Sequence, residues 1–185
     1  MTYPLIKAKH FTLGRSGKKI RQIVIHTMET PETEGRAKQV AYWFAGPTAP
    51  QASAHYCVDN KEIYQTVLDT DTAWAVDQFD ANQASLSIEL AGSSSQTQLQ
   101  WNDAYSKGEL DLAAHLCAEL AVKYNIPVVK LQVTSVKFGS GFIGHNDVTT
   151  AYNIAGGHTD PGHSFPWKDF LALVQTKVNT LKGGK

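Results

Sequence analysis

Four histidines and one aspartate stand where this chain could do metal chemistry. His26 closes the β-rich run IRQIVIH (Ile20 to His26), where a strand meets a surface cleft in open α/β sheets. His145 follows Gly144 in GFIGHNDV. His158, Asp160 and His163 share the loop GGHTDPGHSFPW, shaped by Gly156, Gly157, Pro161 and Gly162. A catalytic zinc takes three protein ligands from His, Cys, Asp or Glu and keeps one position open for water. Two imidazoles and one carboxylate leave such a site positively charged, which lowers the pKa of bound water to about 7. The spacing matches neither a helix-borne HExxH nor paired CxxC. Spacing alone therefore leaves the ligand set open, because a lone histidine at a strand end is more often a packed or hydrogen-bonded residue than a ligand.

The elements that must position these residues are legible from hydrophobic periodicity. Ile20 to His26 is apolar enough on both faces to be a central strand. Glu34 to Ala45 predicts a helix with Ala37, Val40, Ala41 and Phe44 inward, ended by Gly46-Pro47. Ala54 to Val58 and Glu62 to Val67 predict a hairpin turning at Asp59-Asn60. Ser85 to Ala91 (SLSIELA) is a further strand, in which Ser85, Ser87 and Glu89 share one side and Leu86, Ile88 and Leu90 the other. Gly92 to Gln100 reads as an exposed polar loop. Glu109 to Tyr124 predicts an amphipathic helix with Leu112, Leu116, Leu120 and Tyr124 at fourfold spacing. Phe142 to Gly144 makes a short last strand. A final helix opens near Ser164 to Trp167 and carries Phe170, Leu171, Val174 and Val178 inward. Strands interleaved with helices imply an α/β fold with a mixed central sheet flanked by helices.

The 185 residues suit one compact domain, with a core over about 20–181. Seventeen basic residues balance seventeen acidic ones, so no electrostatic footprint points to nucleic acid or an anionic membrane. Lys18, Lys19 and Arg21 cluster only as a solvated edge. No run reaches transmembrane length, and Met1 to Lys9 lacks the apolar stretch of a secretory signal. The expectation is a protein made in the cytoplasm, without stable membrane insertion. Cys57 and Cys117 could form one bond but no disulfide framework.

The segments IVIHTMET, SAHYCVDNKEIYQTV, TAWAV, SLSIELAG, GHND and HTDPG with FPW occur in this order from about Ile20 to Val174. In that order they resemble the type-2 N-acetylmuramoyl-L-alanine amidases, a family of phage endolysins, anhydro-muropeptide amidases and, more distantly, peptidoglycan-recognition proteins. The resemblance implies a single amidase domain with no separate wall-binding domain, and His26, His145 and Asp160 as ligands of Zn2+. It implies Glu89 as the acidic residue facing the metal-bound water, since the family's alternative Tyr falls at Ala54 here. His158 stands where the family often has a charge-steadying Lys.

Trp74, Asn82 and His163 are candidates for substrate contact, and Trp167 is either a contact or an anchor of the last helix. His55 is read as a hydrogen-bonding support to a metal ligand or as a buried structural residue. Asp147 fits a turn or cap. The implied activity is zinc-dependent hydrolysis of the amide between the muramic acid lactyl group and L-alanine, in a phage or prophage endolysin acting on the wall after release. The alternatives are a cytoplasmic recycling amidase acting on small muropeptides and a non-catalytic peptidoglycan-binding module.

Overall fold

The computed structural model describes residues 2–184. Among them seven strands run along the chain: β1 (Phe11–Thr12), β2 (Gln22–Thr27), β3 (Tyr56–Val58), β4 (Ile63–Gln65), β5 (Thr72–Ala73), β6 (Ser85–Leu90) and β7 (Gly141–Gly144). Five helices accompany them: α1 (Arg36–Ala45), α2 (Phe79–Ala84), α3 (Ala104–Tyr124), α4 (His145–Tyr152) and α5 (Trp167–Gly183). The main sheet has the order β4-β3-β6-β2-β7. β3, β6, β2 and β7 run parallel, and β4 pairs antiparallel at one edge. β1 and β5 form a separate two-stranded ribbon.

Both faces of this sheet are covered, which explains why β2 is buried along its whole length. On one face Ile23, Ile25, Leu86, Ile88 and Leu90 pack against α3 and α5 through Leu116, Leu120, Phe170, Val174 and Val178. On the other, Cys57 meets Ala37, Val40, Ala41 and Phe44 of α1, while Val24 meets Ala81 of α2 and Val148 of α4. The result is a helix–sheet–helix sandwich, the mixed sheet that the interleaved pattern implies.

The inward stripe of α1 is the one its periodicity predicts. Its first turn is held by Asp59, whose Oδ2 accepts the Ala37 N–H at 3.0 Å while Oδ1 accepts from Lys61 and Glu62 in the hairpin turn. α3 begins five residues before the expected Glu109, because Asp103 caps it by accepting the Ser106 N–H at 2.9 Å. Leu112, expected inward on α3, is only partly buried, whereas Leu110, Ala113 and Ala114 are buried. Two helices, α2 and α4, have no counterpart in the periodicity reading, since they are too short to show a 3.6-residue stripe. The two cysteines are free and lie in cores on opposite faces of the sheet, so the bond between them is not formed.

Candidate metal centre

Three parallel strand ends build the site. In the register, His26 of β2 lies beside Glu89 of β6, and Glu89 beside Cys57 of β3, so all three project from the same face. β7 pairs Gly144 with Ile25, which sets His145 next to His26 at the first position of α4. α4 is anchored by Asp147, whose Oδ2 accepts the Gly144 N–H at 2.6 Å and meets Lys130 Nζ at 2.6 Å. Asp147 is thus a cap, as expected. The 153–163 loop returns over the strand ends and brings in Asp160, its carbonyl accepting the Asn146 N–H at 3.0 Å. Gly162 lets this loop close: at φ +90, any Cβ there would collide with the Ser94 carbonyl oxygen.

The consequence is a buried trio. His26 Nδ1 is 3.0 Å from Asp160 Oδ2 and His145 Nδ1 is 3.3 Å from Asp160 Oδ1, with all three side chains buried. The two imidazole rings meet edge-on at 4.9 Å. Burial would push the Asp160 carboxyl up, but hydrogen bonds from His145 and His26 outweigh it and hold the group well below the usual carboxylate range. Burial pushes the His145 imidazole down, partly opposed by its bond to Asp160. An ionised carboxylate and a neutral imidazole are the protonation states that a metal ligand needs. The donor spacing also fits: ligands about 2.0–2.1 Å from a tetrahedral zinc stand about 3.3 Å apart. His26, His145 and Asp160 could therefore hold a metal ion.

The trio opens on a cleft of about 300 Å³, lined also by Glu89, His158, Trp74, Glu29, Asp77 and Trp43. Glu89 is pushed well above the ordinary carboxylate range, first by burial and then by the negative charges of Asp160 and Glu29. His158 stacks on His145 with ring centres 4.2 Å apart and places Nδ1 3.6 Å from Asp160 Oδ1; its side chain is 59% exposed, so it sits at the cleft mouth. Trp74 lines the wall, fixed by a 2.9 Å hydrogen bond from Nε1 to Thr12 Oγ1 and by stacking on His10.

Other expected site residues lie elsewhere. Asn82 is buried, and its amide is spent on the chain: Oδ1 accepts from Ala75 and Val76 N–H, and Nδ2 donates to the Val76 carbonyl at 2.7 Å. It supports Ala75 and Val76 of the cleft wall and lies outside the lining itself. His163 is exposed and outside the cleft lining. His55 is buried between β3 and β6, with Nδ1 accepting the Ser87 N–H at 3.0 Å and Nε2 facing the Asp71 carbonyl and Arg15 Nη2. Its nitrogens are engaged there rather than on His26, His145 or Asp160. Trp167 packs edge-on against Phe165 and under Lys130 Nζ, anchoring α5. Sequence reasoning passed over Glu29, Asp77 and Trp43. Trp43 carried a signal, an aromatic on the outward face of an amphipathic helix; the two carboxylates carried none.

The sequence profile of the N-acetylmuramoyl-L-alanine amidases matches residues 16–163, and the chain belongs to that family of peptidoglycan-cutting hydrolases. Among solved structures, the Staphylococcus aureus hydrolase AmiA in complex with its ligand aligns over 99% of this chain and 86% of its own, with 15% identity and a TM-score of 0.74. A mutant endolysin from Bacillus subtilis aligns over 94% and 99%, with 17% identity and a TM-score of 0.62. AmpD aligns over 93% and 94%, with 21% identity and a TM-score of 0.65. At these identities the structures establish a shared fold. A comparison with curated protein sequences finds no match.

Proposed function

We propose that this chain is a zinc-dependent amidase that hydrolyses the bond between the muramic acid lactyl carbonyl and the L-alanine nitrogen of peptidoglycan. The observation that carries the reading is the convergence of His26, His145 and Asp160 at one buried point, with Glu89 beside them in register. His26, His145 and Asp160 would hold the zinc, which when bound supplies Lewis acidity and a water acidic enough to ionise near neutral pH.

The chain's own residues do the rest. Glu89, placed beside His26 at the cleft floor, takes a proton from the attacking water on a carboxylate oxygen and returns it to the leaving alanine nitrogen. A proton affinity raised above that of an ordinary carboxylate suits both halves of this shuttle. His158, at the mouth, donates an N–H toward the developing oxyanion. Trp74 and Trp43 line the cleft with aromatic surface against which the substrate can lie. Asn82 holds the 75–76 segment that completes the wall.

The biological role we infer is that of a phage or prophage endolysin. The order and wording of the SAHYCVDNKEIYQTV and HTDPGHSFPW segments support it. Among the described residues no helix is long and apolar enough to cross a membrane. The test is mass analysis of products from purified peptidoglycan, run with the protein as prepared, after chelation and after zinc is restored. Intact stem peptides beginning at L-alanine, lost on chelation and regained with zinc, are expected. Cleavage of small anhydro-muropeptides but not of polymer would instead favour recycling. Absence of both cleavage and bound zinc would make the chain a binding module.

A further inference from the structure

The cleft differs from the rest of the molecule in charge. Its charged lining residues are Glu29, Asp77, Glu89 and Asp160, and among the described lining residues none is Lys or Arg. The chain as a whole is balanced, with 17 residues of each sign, so the bias is local. Asp160 and Glu89 belong to the reacting centre. Glu29 and Asp77 do not, and both are exposed to an incoming ligand.

The Glu29 carboxylate is held by hydrogen bonds, and the backbone that carries Asp77 is anchored at the preceding residue. Glu29 leaves β2 in the left-handed region, at φ 51, and its carboxylate accepts hydrogen bonds from Thr27 Oγ1 at 2.7 Å, Ser94 N–H at 2.8 Å and Ser93 Oγ at 3.0 Å. Partial burial would raise its proton affinity, but those three donors bring it below the usual carboxylate range, so the charge persists. Asp77 follows Val76, whose N–H is clamped by Asn82 Oδ1 at 2.9 Å. An Asp77 oxygen lies within 4.8 Å of ring nitrogens of both His145 and His158. A divalent ion on His26, His145 and Asp160 would leave that trio one net positive charge, which the two negative charges of Glu29 and Asp77 outweigh.

We propose that Glu29 and Asp77 make the cleft select stem peptides by charge, favouring a second stem residue that carries a carboxamide over one that carries a free carboxylate. This rests on the amidase reading. The second residue lies one peptide unit, about 3.8 Å along the chain, beyond the alanine whose nitrogen is released. A free carboxylate there enters a mouth already holding two like charges. A carboxamide of the same shape avoids the repulsion, and its NH2 can donate to either group. The discrimination thus comes from a repulsive element set against the wrong ligand.

The test compares N-acetylmuramoyl-L-alanyl-D-isoglutaminyl-L-lysine with N-acetylmuramoyl-L-alanyl-γ-D-glutamyl-L-lysine, in which the third residue closes the γ-carboxyl and only the α-group of the second residue differs, carboxamide against carboxylate. kcat/KM is measured on the zinc-loaded protein at low and high ionic strength. Affinities for both are measured by calorimetry on the Glu89→Gln protein, which gives an answer whether or not these short ligands are cut. We expect about ten-fold preference for the carboxamide at low salt, narrowing as salt screens the mouth. In the Glu29→Gln/Asp77→Asn protein it should fall to about two-fold or less. The amide introduced by Glu29→Gln keeps an oxygen for the Thr27 and Ser94 donors. Equal affinities, preference for the carboxylate, or a preference untouched by the double substitution would overturn the proposal. Loss of the amidase reading looks different: no cleavage of polymer or of either ligand by zinc-loaded protein.

Discussion

A carboxyl group next to a metal centre can serve as a base only if it is close, oriented and not itself a ligand. Glu89 satisfies the placement through sheet register: its strand neighbour is His26, and both side chains leave the same face. The three buried donor atoms of His26, His145 and Asp160 converge on each other without it. Removing the proton shuttle while keeping size and polarity therefore separates the two jobs. Glu89→Gln is expected to retain stoichiometric zinc by metal analysis while kcat falls by about 10²–10⁴-fold. Turnover near that of the parent would eliminate Glu89 as the base. Asp160→Ala should act on the other job: it leaves two buried imidazoles without their shared acceptor, and zinc retention should drop along with activity.

At the scale of elements, the site depends on loops docking tightly over strand ends. Gly162 is the closest approach, its Cα facing the Ser94 carbonyl two residues beyond Asp160. Gly162→Ala combines a forbidden backbone region with a steric clash, and should cost about 1–3 kcal/mol of stability in a denaturant melt. It should also weaken zinc retention, since the shift propagates to Asp160. α3 carries a different kind of tension. Glu109 is fully buried on it, with Oε1 accepting the Ala91 N–H at 2.6 Å and Oε2 without a partner among the described residues. Burial drives its proton affinity well above the ordinary value, opposed by the Ala91 bond and reinforced by the charge of Glu32. The folded chain therefore holds this proton more tightly than the unfolded chain does. Stability falls as pH rises above the ordinary carboxylate range, because the unfolded form releases the proton first. Glu109→Gln mimics the protonated state. Between about pH 5 and about pH 8 its melting temperature should decline less than that of the parent, and at the upper end it should be the more stable protein.

At the scale of the whole molecule, the candidate metal site joins segments far apart in the chain: His26 from the first main-sheet strand and His145 and Asp160 from the last third, with Glu89 beside them from the middle. A ligand that binds only this assembled arrangement stabilises all of it. Zinc at about 100 times its dissociation constant should add about 2.7 kcal/mol to unfolding, and chelation should remove it. Thermal melts with and without chelator measure this, and Asp160→Ala should flatten the difference. A melt indifferent to zinc in the parent would mean that the trio does not bind it.

The layered α/β plan is legible in the chain's pattern, because a central strand covered on both faces needs apolar residues on both, and Ile23, Val24 and Ile25 of β2 supply them. The same pattern carries the inward stripe of α1 and the polarity of the β6 face, both of which follow from side-chain period alone. The ordered motifs singled out His26, His145, Asp160 and Glu89 as a set, although nothing in their spacing could bring them together. The remaining features depend on how the folded segments pack. α4, too short for a visible stripe, exists because Asp147 caps it and the Asp160 loop closes over it. Asn82 and His55 carry polar groups that suit a site as well as a core; Asn82 spends its amide on a local turn at Ala75 and Val76, whereas His55 meets Arg15 and Ser87 through packing between distant segments. Glu29 and Asp77 reach the cleft through such packing too: a carboxylate's neighbours in space come from chain crossings that no local pattern records.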